Sequence, residues 1–224
     1  QANGISVQYL IENAIKNLTN KEVTIFGAGR TDAGVHAKNQ VANFELEEFL
    51  HTDIIRDGLN HHLRPHPIAI LSAEKVKINF NARFSAKKRW YEYKIINRRA
   101  PLTINNNRAW CIHKKINIKK IIEQSKNFIG KHDLSAFRSI NCQSKSAIKS
   151  IDLIDIKNIE DEIIFTICAK SFLHSQVRIM VGTLIDIGLD KISKSVSEII
   201  FLKKREYAGI TAPPFGLYLL KVDY

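Results

Sequence analysis

The spacing of hydrophobic residues along the chain predicts alternating helices and strands. Apolar residues recur at helical spacing over 7–18, and Ser6 lies where a helix N-cap is expected. The run "RWYEYKII" instead alternates, so that Tyr91, Tyr93 and Ile95 share one face of a strand and the polar residues between them share the other. The pattern therefore predicts an amphipathic helix near the N-terminus and a long strand near the middle of the chain.

The hydrophobic pattern predicts further strands and helices along the rest of the chain. Further strands are predicted at "VTIF", "QVANFEL", "IAILSA", "SIDLIDI", "EIIFTICA" and "GLYLLKV". Further helices are predicted from Thr52, after an Asn117 cap, from near His174, and after a capping box formed by Ser195 and Glu198. Interleaved helices and antiparallel-looking strands indicate an α+β fold, which we divide into an N-terminal α+β domain at 1–84 and a C-terminal α+β domain at 85–224.

Composition narrows the class of partner. The chain has 224 residues, and its 34 Lys and Arg against 22 Asp and Glu give a net charge of +12. Such an excess favours a polyanion such as nucleic acid, or an anionic membrane surface. No apolar run approaches the roughly 20 residues that span a bilayer. The three cysteines are odd in number and far apart, which indicates reduced thiols in a cytoplasmic protein.

A glycine-rich stretch, "GAGRTDAGVHA" (27–37), contains the most specific pattern in the chain. It is not a dinucleotide-binding loop, because Asp32 stands where the third glycine of G-x-G-x-x-G belongs. It is not a phosphate-binding P-loop either, because Val35 and His36 replace the required Lys and Ser or Thr.

Metal and serine-hydrolase chemistry also find no support in the sequence. His62 and His66 are four residues apart, but Pro65 interrupts the helix that would align them, and there is no C-x-x-C pair. There is no G-x-S-x-G motif. We therefore predict no metal site.

What remains is Asp32 itself, and the residues alone leave two interpretations. An Asp that is ionised at neutral pH and held by a tight turn can act as a nucleophile or a base, with Arg30 beside it to contact a phosphate. Alternatively, Asp32 is simply the residue that stabilises an Asx-type turn.

The stretch "GAGRTDAGVHA", continued by "NQVANFE", closely resembles the signature of the TruA family of tRNA pseudouridine synthases. The runs "FNARFSAKKRWYEYKIINR", "GKHDLSAFRS" with "CQSKSAIKSI", "SFLHSQVRIMVGTL" and "AGITAPPFGLYLLKVDY" resemble the other blocks of this family, in the same order. Together they cover nearly the whole chain.

The resemblance implies an isomerase that converts uridine to pseudouridine in tRNA without a cofactor. It assigns Asp32 as the catalytic carboxylate, which would either attack the anomeric carbon or remove a ribose proton. It assigns Tyr91 as the residue that stacks on uracil, with a hydroxyl that is a candidate for proton transfer, and Arg178 as the cation that faces the Asp. Leu217 is implied to line the uracil pocket, although simple core packing is an equal alternative.

The resemblance also implies a set of RNA contacts. Arg30 and Arg83 would grip the substrate and assist base flipping, and a basic run from Lys87 to Arg99 lies near the RNA-contacting segments. The residues implied to bind RNA are Arg30, Phe80, Asn81, Ala82, Arg83, Phe84, Arg99, Asn141, Cys142, Gln143, Ser144 and Lys145.

For the architecture, the resemblance implies two similar α/β sandwich domains with mostly antiparallel sheets. The sheets would join edge to edge and leave a catalytic cleft between the domains. The implied partner is the anticodon stem-loop of tRNA, at positions 38, 39 and 40. The implied assembly is a homodimer in the cytoplasm, with one tRNA contacting both subunits and with no metal or membrane.

Three departures from the family pattern qualify this expectation. Family members normally begin with a strand and a Tyr-Asp-Gly to Gly-Trp segment, which this sequence lacks before Gln1, so we expect a form without its N-terminal strand. Ile179 replaces a usual Asn, and Leu50 replaces an Arg found in some members. The alternatives are a catalytically inactive tRNA-binding fragment and an RNA enzyme that depends on a nucleotide or a metal.

Overall fold

The computed structural model describes residues 5–224. Its α-helices are α1 (Val7–Thr19), α2 (Thr52–His62), α3 (Ile118–Ser125), α4 (Gln176–Gly188) and α5 (Val196–Leu202). Its strands are β1 (Phe26–Gly27), β2 (His36–Ala37), β3 (Ala42–Asn43), β4 (Lys88–Asn97), β5 (Trp110–Ile112), β6 (Gly130–Asp133), β7 (Ile148–Ile159), β8 (Glu162–Ala169) and β9 (Leu217–Asp223). Short 3₁₀ turns occupy Lys126–Phe128, Ser135–Phe137, Arg205–Tyr207 and Pro214–Gly216.

The chain forms two compact units. The first contains the described residues up to Arg30 together with Val41–Ala86, and the second contains Thr31–Gln40 together with Lys87–Tyr224. The segment that carries Asp32 thus packs with the C-terminal part of the chain, whereas the sequence assigned it to an N-terminal domain at 1–84. The division into folding domains at 84/85 stays a prediction.

The first unit is held together by its two helices. α1 and α2 pack against each other, with Ala14, Ile15 and Leu59 buried in a small hydrophobic core. Ser6 caps α1 as predicted, because its side chain accepts a hydrogen bond from the backbone N–H of Tyr9 at 3.1 Å. The amphipathic patterns of both helices are therefore confirmed.

The predicted strands of the first unit are much shorter than expected. Only β1 and β3 pair among the described residues of this unit, so "VTIF" contributes one strand residue and "QVANFEL" two, and the strand predicted at "IAILSA" is wrong. Helix side chains replace the missing strand partners. Asn60 makes two hydrogen bonds with the backbone of Ile70, at 2.7 and 2.8 Å, and Glu12 accepts from the backbone N–H of Ile25 at 3.0 Å.

The second unit is built on a mixed sheet dominated by antiparallel pairs. The strand order is β2-β9-β4-β8-β7-β6, with β5 beside β4, and only the β2–β9 and β4–β5 pairs are parallel. β4 follows the predicted alternation, because Tyr93 and Ile95 are fully buried while Glu92 is not. The expectation of a mixed fold with mostly antiparallel strands is thus confirmed.

α4 is the central helix of the second unit and lies very close to the segment 208–212. A Cβ atom added to Gly182 would lie 1.9 Å from the carbonyl oxygen of Ile210, so glycine permits the approach. Thr183 accepts a hydrogen bond from the backbone N–H of Gly209 at 2.9 Å, and Asp186 accepts one from Ile210 at 3.1 Å. These contacts fix the helix that carries Arg178.

Two further predictions are confirmed at helix starts. Asn117 caps α3, and Ser195 and Glu198 form both bonds of a capping box at α5. Within residues 5–224, no helix combines the length and the apolar character needed to cross a membrane.

Candidate active site

Asp32 lies in a tight turn within the segment Thr31–Gln40, which belongs to the second unit. The backbone N–H of Val35 donates to the carbonyl of Asp32 at 3.1 Å, which closes the turn. Gly34 has a φ of +82°, a conformation that favours glycine. A Cβ at this position would also lie 3.2 Å from the Pro214 ring. The glycine-rich sequence therefore allows the turn to close beside Pro214 and present the Asp32 side chain.

Three residues at the start of α4 hold the Asp32 carboxylate. Arg178 Nη1 donates to Oδ2 at 2.5 Å, and Ser175 Oγ donates to the same oxygen at 3.1 Å. His174 Nε2 lies 3.1 Å from the other oxygen, Oδ1. The Asp32 side chain retains 25% exposure, so it is oriented by these partners and still open to a ligand.

Arg178 is itself fixed by a second contact. Its Nε donates to the carbonyl of Ala212 at 2.7 Å, and the backbone N–H of Ala212 donates to the carbonyl of Arg178 at 3.1 Å. The Arg178 side chain is only 15% exposed. The guanidinium is therefore held between Asp32 and the segment that α4 packs against. The structure brings together Asp32 and Arg178, as the family resemblance implied.

The surroundings of Asp32 lower its pKa below the ordinary value of 3.8. Partial burial acts in the opposite direction and would raise the pKa. The hydrogen bonds from Arg178 and Ser175, together with the electrostatic interactions of Asp32 with Arg178 and His174, outweigh that effect. Asp32 is therefore ionised at neutral pH and can act as a nucleophile or as a base.

Tyr91 lies in β4 and packs edge-on against Phe172, with ring centroids 5.2 Å apart. Burial raises the pKa of Tyr91 to about 12, Asp32 adds to the rise, and Arg89 opposes it. The hydroxyl makes no hydrogen bond to any other group in residues 5–224. No buried side-chain polar atom in this range lacks a partner, so the hydroxyl of the half-buried Tyr91 is not completely enclosed. It is thus a neutral phenol that is available to a ligand.

Leu217 and Ile179 are both part of the hydrophobic core of the second unit. Leu217 begins β9, pairs with Tyr93 of β4 and is 6% exposed. Ile179 follows Arg178 and is fully buried in the same core. The Ile179 side chain therefore points into the core. The polar contacts of Arg178 are with Asp32 and with the carbonyl of Ala212. For Leu217, core packing is observed and the pocket-lining role stays a prediction.

The predicted RNA contacts at 80–84 form a compact turn in which the side chains of Arg83 and Phe84 are exposed, while those of Phe80 and Asn81 are half-buried. Asn81 Oδ1 accepts hydrogen bonds from the backbone N–H groups of Arg83 and Phe84, each at 3.0 Å. Ala82 is buried, whereas Phe84 is 78% exposed with the Arg83 guanidinium 5.5 Å from its ring centre. Arg30 is exposed in the same unit. An exposed aromatic ring beside a cation is a suitable surface for a nucleobase and its phosphate.

The predicted RNA contacts of the second unit lie in two separate loops. Arg99 is exposed in the loop after β4, where its carbonyl contacts His113 Nδ1 at 3.1 Å. In the segment 141–145, Gln143 and Lys145 are exposed, while Cys142 packs against the core. The structure thus leaves cationic side chains accessible in both loops.

Sequence reasoning missed two of the three residues that hold Asp32. His174 and Ser175 were seen only as the region where α4 begins. The available signal was the spacing of His174 and Arg178, four residues apart, at the start of a helix that carries the predicted cation. Ser175 adopts a left-handed conformation, with φ of 58°, and uses its hydroxyl for Asp32 rather than to cap the helix.

No group of three or more His, Cys, Asp or Glu side chains in the described part of the chain is arranged to hold a metal ion.

Comparison with known proteins identifies the family of this chain. The model of a family described as tRNA pseudouridine synthase matches residues 1–85 and 125–224. The tRNA pseudouridine synthase A of Ehrlichia chaffeensis is 52% identical over 98% of this chain and 90% of its own length. That of Parvibaculum lavamentivorans is 48% identical over 100% of this chain and 92% of its own. The proteins of the same name from Anaplasma phagocytophilum and Wolbachia pipientis are 49% and 48% identical. This chain belongs to the tRNA pseudouridine synthase family.

Proposed function

We propose that this protein isomerises uridine to pseudouridine in tRNA, with Asp32 as the catalytic carboxylate. The observation that supports this most strongly is the ionised, partly open Asp32 carboxylate, bound by Arg178 at 2.5 Å in a chain of this family. In the reaction, the glycosidic bond to nitrogen breaks, the uracil turns, and a new bond joins ring carbon five to the same ribose. That carbon loses its proton, and the freed nitrogen gains one. No electrons leave and no water is added.

The geometry suits either chemical route open to Asp32. As a nucleophile it would attack the anomeric carbon, and as a base it would remove a ribose proton. Both routes need an ionised carboxylate with a fixed orientation, and the Arg178 and Ser175 contacts on one oxygen provide it. Arg178 balances the negative charge when the substrate excludes water.

We propose that the Tyr91 ring stacks on the uracil. Its ring packs edge-on against Phe172, and its hydroxyl makes no hydrogen bond within residues 5–224. Because its pKa is raised to about 12, the phenol is protonated at neutral pH and would serve as a donor rather than as a base.

The partner proposed for the exposed cations and aromatic side chains is the anticodon stem-loop of tRNA, with uridines 38, 39 and 40 as the targets. The net charge of +12 supports a polyanionic substrate. A homodimer that shares one tRNA, a cytoplasmic location and an edge-to-edge pair of domains with a catalytic cleft remain predictions from the family resemblance.

The experiment that tests the function is release of tritium from uridine labelled at ring carbon five in tRNA. We expect stoichiometric release without added nucleotide and in the presence of EDTA, with pseudouridine mapped to positions 38–40 by carbodiimide labelling. Binding of tRNA without any release would support the inactive-fragment alternative. Release that EDTA abolishes would support a metal-dependent enzyme.

A further inference from the structure

The two oxygens of Asp32 are held in different ways. A carboxylate offers about four lone-pair positions, two on each oxygen. Oδ2 uses both of its positions, for Arg178 Nη1 at 2.5 Å and Ser175 Oγ at 3.1 Å. Among the described residues 5–224, Oδ1 has one hydrogen-bond contact, His174 Nε2 at 3.1 Å. The open lone pair of the carboxylate is therefore on Oδ1.

His174 must carry a hydrogen on Nε2 to bind Oδ1, because an ionised carboxylate only accepts hydrogen bonds. Because the carboxylate is ionised, this hydrogen bond is charge-assisted whether the imidazole is protonated or neutral. In either state the imidazole donates from one side of Oδ1. It thereby fixes the direction in which the remaining lone pair points.

The backbone around His174 is rigid, so the imidazole starts from a defined position. The backbone N–H of Leu173 donates to the buried Gln176 side chain at 2.7 Å. The carbonyl of His174 accepts from the backbone N–H of Ser139 at 3.1 Å. Ser139 begins the turn that leads into 141–145, since its carbonyl accepts from the backbone N–H of Cys142 at 3.0 Å. The residue that contacts Oδ1 is thus also tied to a segment predicted to contact RNA.

We propose that His174 is a positioning residue that orients Asp32 through Oδ1, and that Oδ1 is the oxygen presented to the ribose. The proposal rests on the proposed function for its chemistry. The side chain of His174 is 45% exposed, so it contributes through this hydrogen bond rather than through packing. Arg178 keeps Asp32 ionised, Ser175 completes the hold on Oδ2, and His174 determines where Oδ1 points.

Two variants separate the hydrogen bond from the bulk of the side chain. His174→Ala removes the donor, and His174→Gln places a neutral amide donor where Nε2 lies. The control is His66→Gln, an exposed histidine in the first unit. Single-turnover rates at saturating enzyme, tRNA affinity and melting temperature are measured for all three variants.

We expect His174→Ala to slow the single-turnover rate about 10- to 100-fold, the range for loss of a hydrogen bond to a charged group. We expect His174→Gln to restore the rate to within about threefold of wild type. Affinity for tRNA and melting temperature should match the control in both variants. A wild-type rate in His174→Ala would overturn the proposal. A loss of tRNA affinity that accounts for the lower rate would also overturn it. Equal losses of single-turnover rate in His174→Ala and His174→Gln would overturn it as well.

A second measurement does not depend on activity. The carboxyl carbon of Asp32, assigned by its disappearance in Asp32→Asn, is titrated by NMR in the free protein. We expect the pKa of Asp32 to rise in His174→Ala and to be unchanged in His66→Gln. An unchanged pKa in His174→Ala would overturn the proposal even if the rate fell. A raised pKa in a protein that forms no pseudouridine would contradict the proposed function and leave the contact to Oδ1 intact.

Discussion

Different side chains contact the two carboxylate oxygens of Asp32. Arg178 and Ser175 donate to Oδ2, His174 contacts Oδ1, and Tyr91 lies in β4 with a hydroxyl that bonds to no group within residues 5–224. Asp32 and Arg178 could be predicted because a resemblance linked two distant motifs. For His174 the one signal was its four-residue spacing from Arg178. Nothing in "SFLHSQVR" shows that a left-handed Ser175 brings the His174 and Ser175 side chains to a loop more than 140 residues away.

Two tyrosines two residues apart on β4 provide a matched test of the Tyr91 hydroxyl. Tyr91→Phe should lower turnover about tenfold or more, with tRNA affinity and melting temperature unchanged, because the hydroxyl bonds to no described protein group. Tyr93→Phe is the control. Its buried hydroxyl donates to the carbonyl of Pro213 at 2.8 Å, so its loss should cost about 1 kcal/mol and lower the melting temperature by about 2–4 °C. Full turnover in Tyr91→Phe would exclude proton transfer by Tyr91.

Replacing Tyr91 by Leu tests the ring. We expect tRNA affinity to fall by the equivalent of about 1–3 kcal/mol, the usual contribution of a stacked base. If Tyr91→Leu lowers only the melting temperature and leaves affinity unchanged, the ring packs against Phe172 without contacting RNA.

The pKa of Asp32 makes a prediction about stability. Because the pKa of Asp32 in the folded protein lies below the ordinary value of 3.8, folding favours the ionised form. Its contribution to the free energy of unfolding is fully present above about pH 4. It is lost as the pH falls through the lower, folded-state pKa. In urea unfolding, the free energies of unfolding of wild type and Asp32→Asn should differ by a constant amount from pH 5 to 7. That difference should shrink below pH 4. A difference that keeps changing above pH 5 would contradict this.

Helices were more predictable than strands because helical hydrogen bonds are local. Ser6, Asn117 and the Ser195–Glu198 pair mark helix starts correctly, since each cap bonds within three residues. A strand needs a partner from elsewhere in the chain. The run "IAILSA" has β-branched residues but no strand partner, and Asn60 bonds its backbone instead. The long strand β8 agrees with its prediction because β4 and β7, which pair with it on either side, are long enough to bond to it along most of its length.

The close approach of α4 to the segment 208–212 is tested by Gly182→Ala. The added Cβ would collide with the backbone of Ile210, so we expect a loss of about 1–3 kcal/mol or more in the free energy of unfolding. Turnover should fall as well, because the same segment holds Arg178 through Ala212. Gly27→Ala is the matched control for stability, since its nearest contact would be 3.8 Å away. Equal melting temperatures for the two variants would mean that α4 and this segment separate readily.

For the chain as a whole, the excess of positive charge defines the expected mode of binding. Composition predicted a polyanionic partner but not which cations contact it, because charge counts carry no positions. We expect Arg83→Gln and Lys145→Gln to weaken binding to all tRNAs. Each lost phosphate contact should reduce the slope of log affinity against log salt by roughly 0.7 to 0.9. The control is Lys157→Gln, an exposed lysine in β7. Slopes that equal the control would place Arg83 and Lys145 outside the RNA contact.

The most direct measurement compares Asp32→Asn with wild type in the tritium-release assay, alongside tRNA affinity. The amide keeps the size of the side chain and the turn but is neither a nucleophile nor a base. We predict a rate at least about 1,000-fold lower, with tRNA affinity within about threefold of wild type. Turnover near the wild-type rate in Asp32→Asn would contradict the assignment of Asp32 as the catalytic carboxylate.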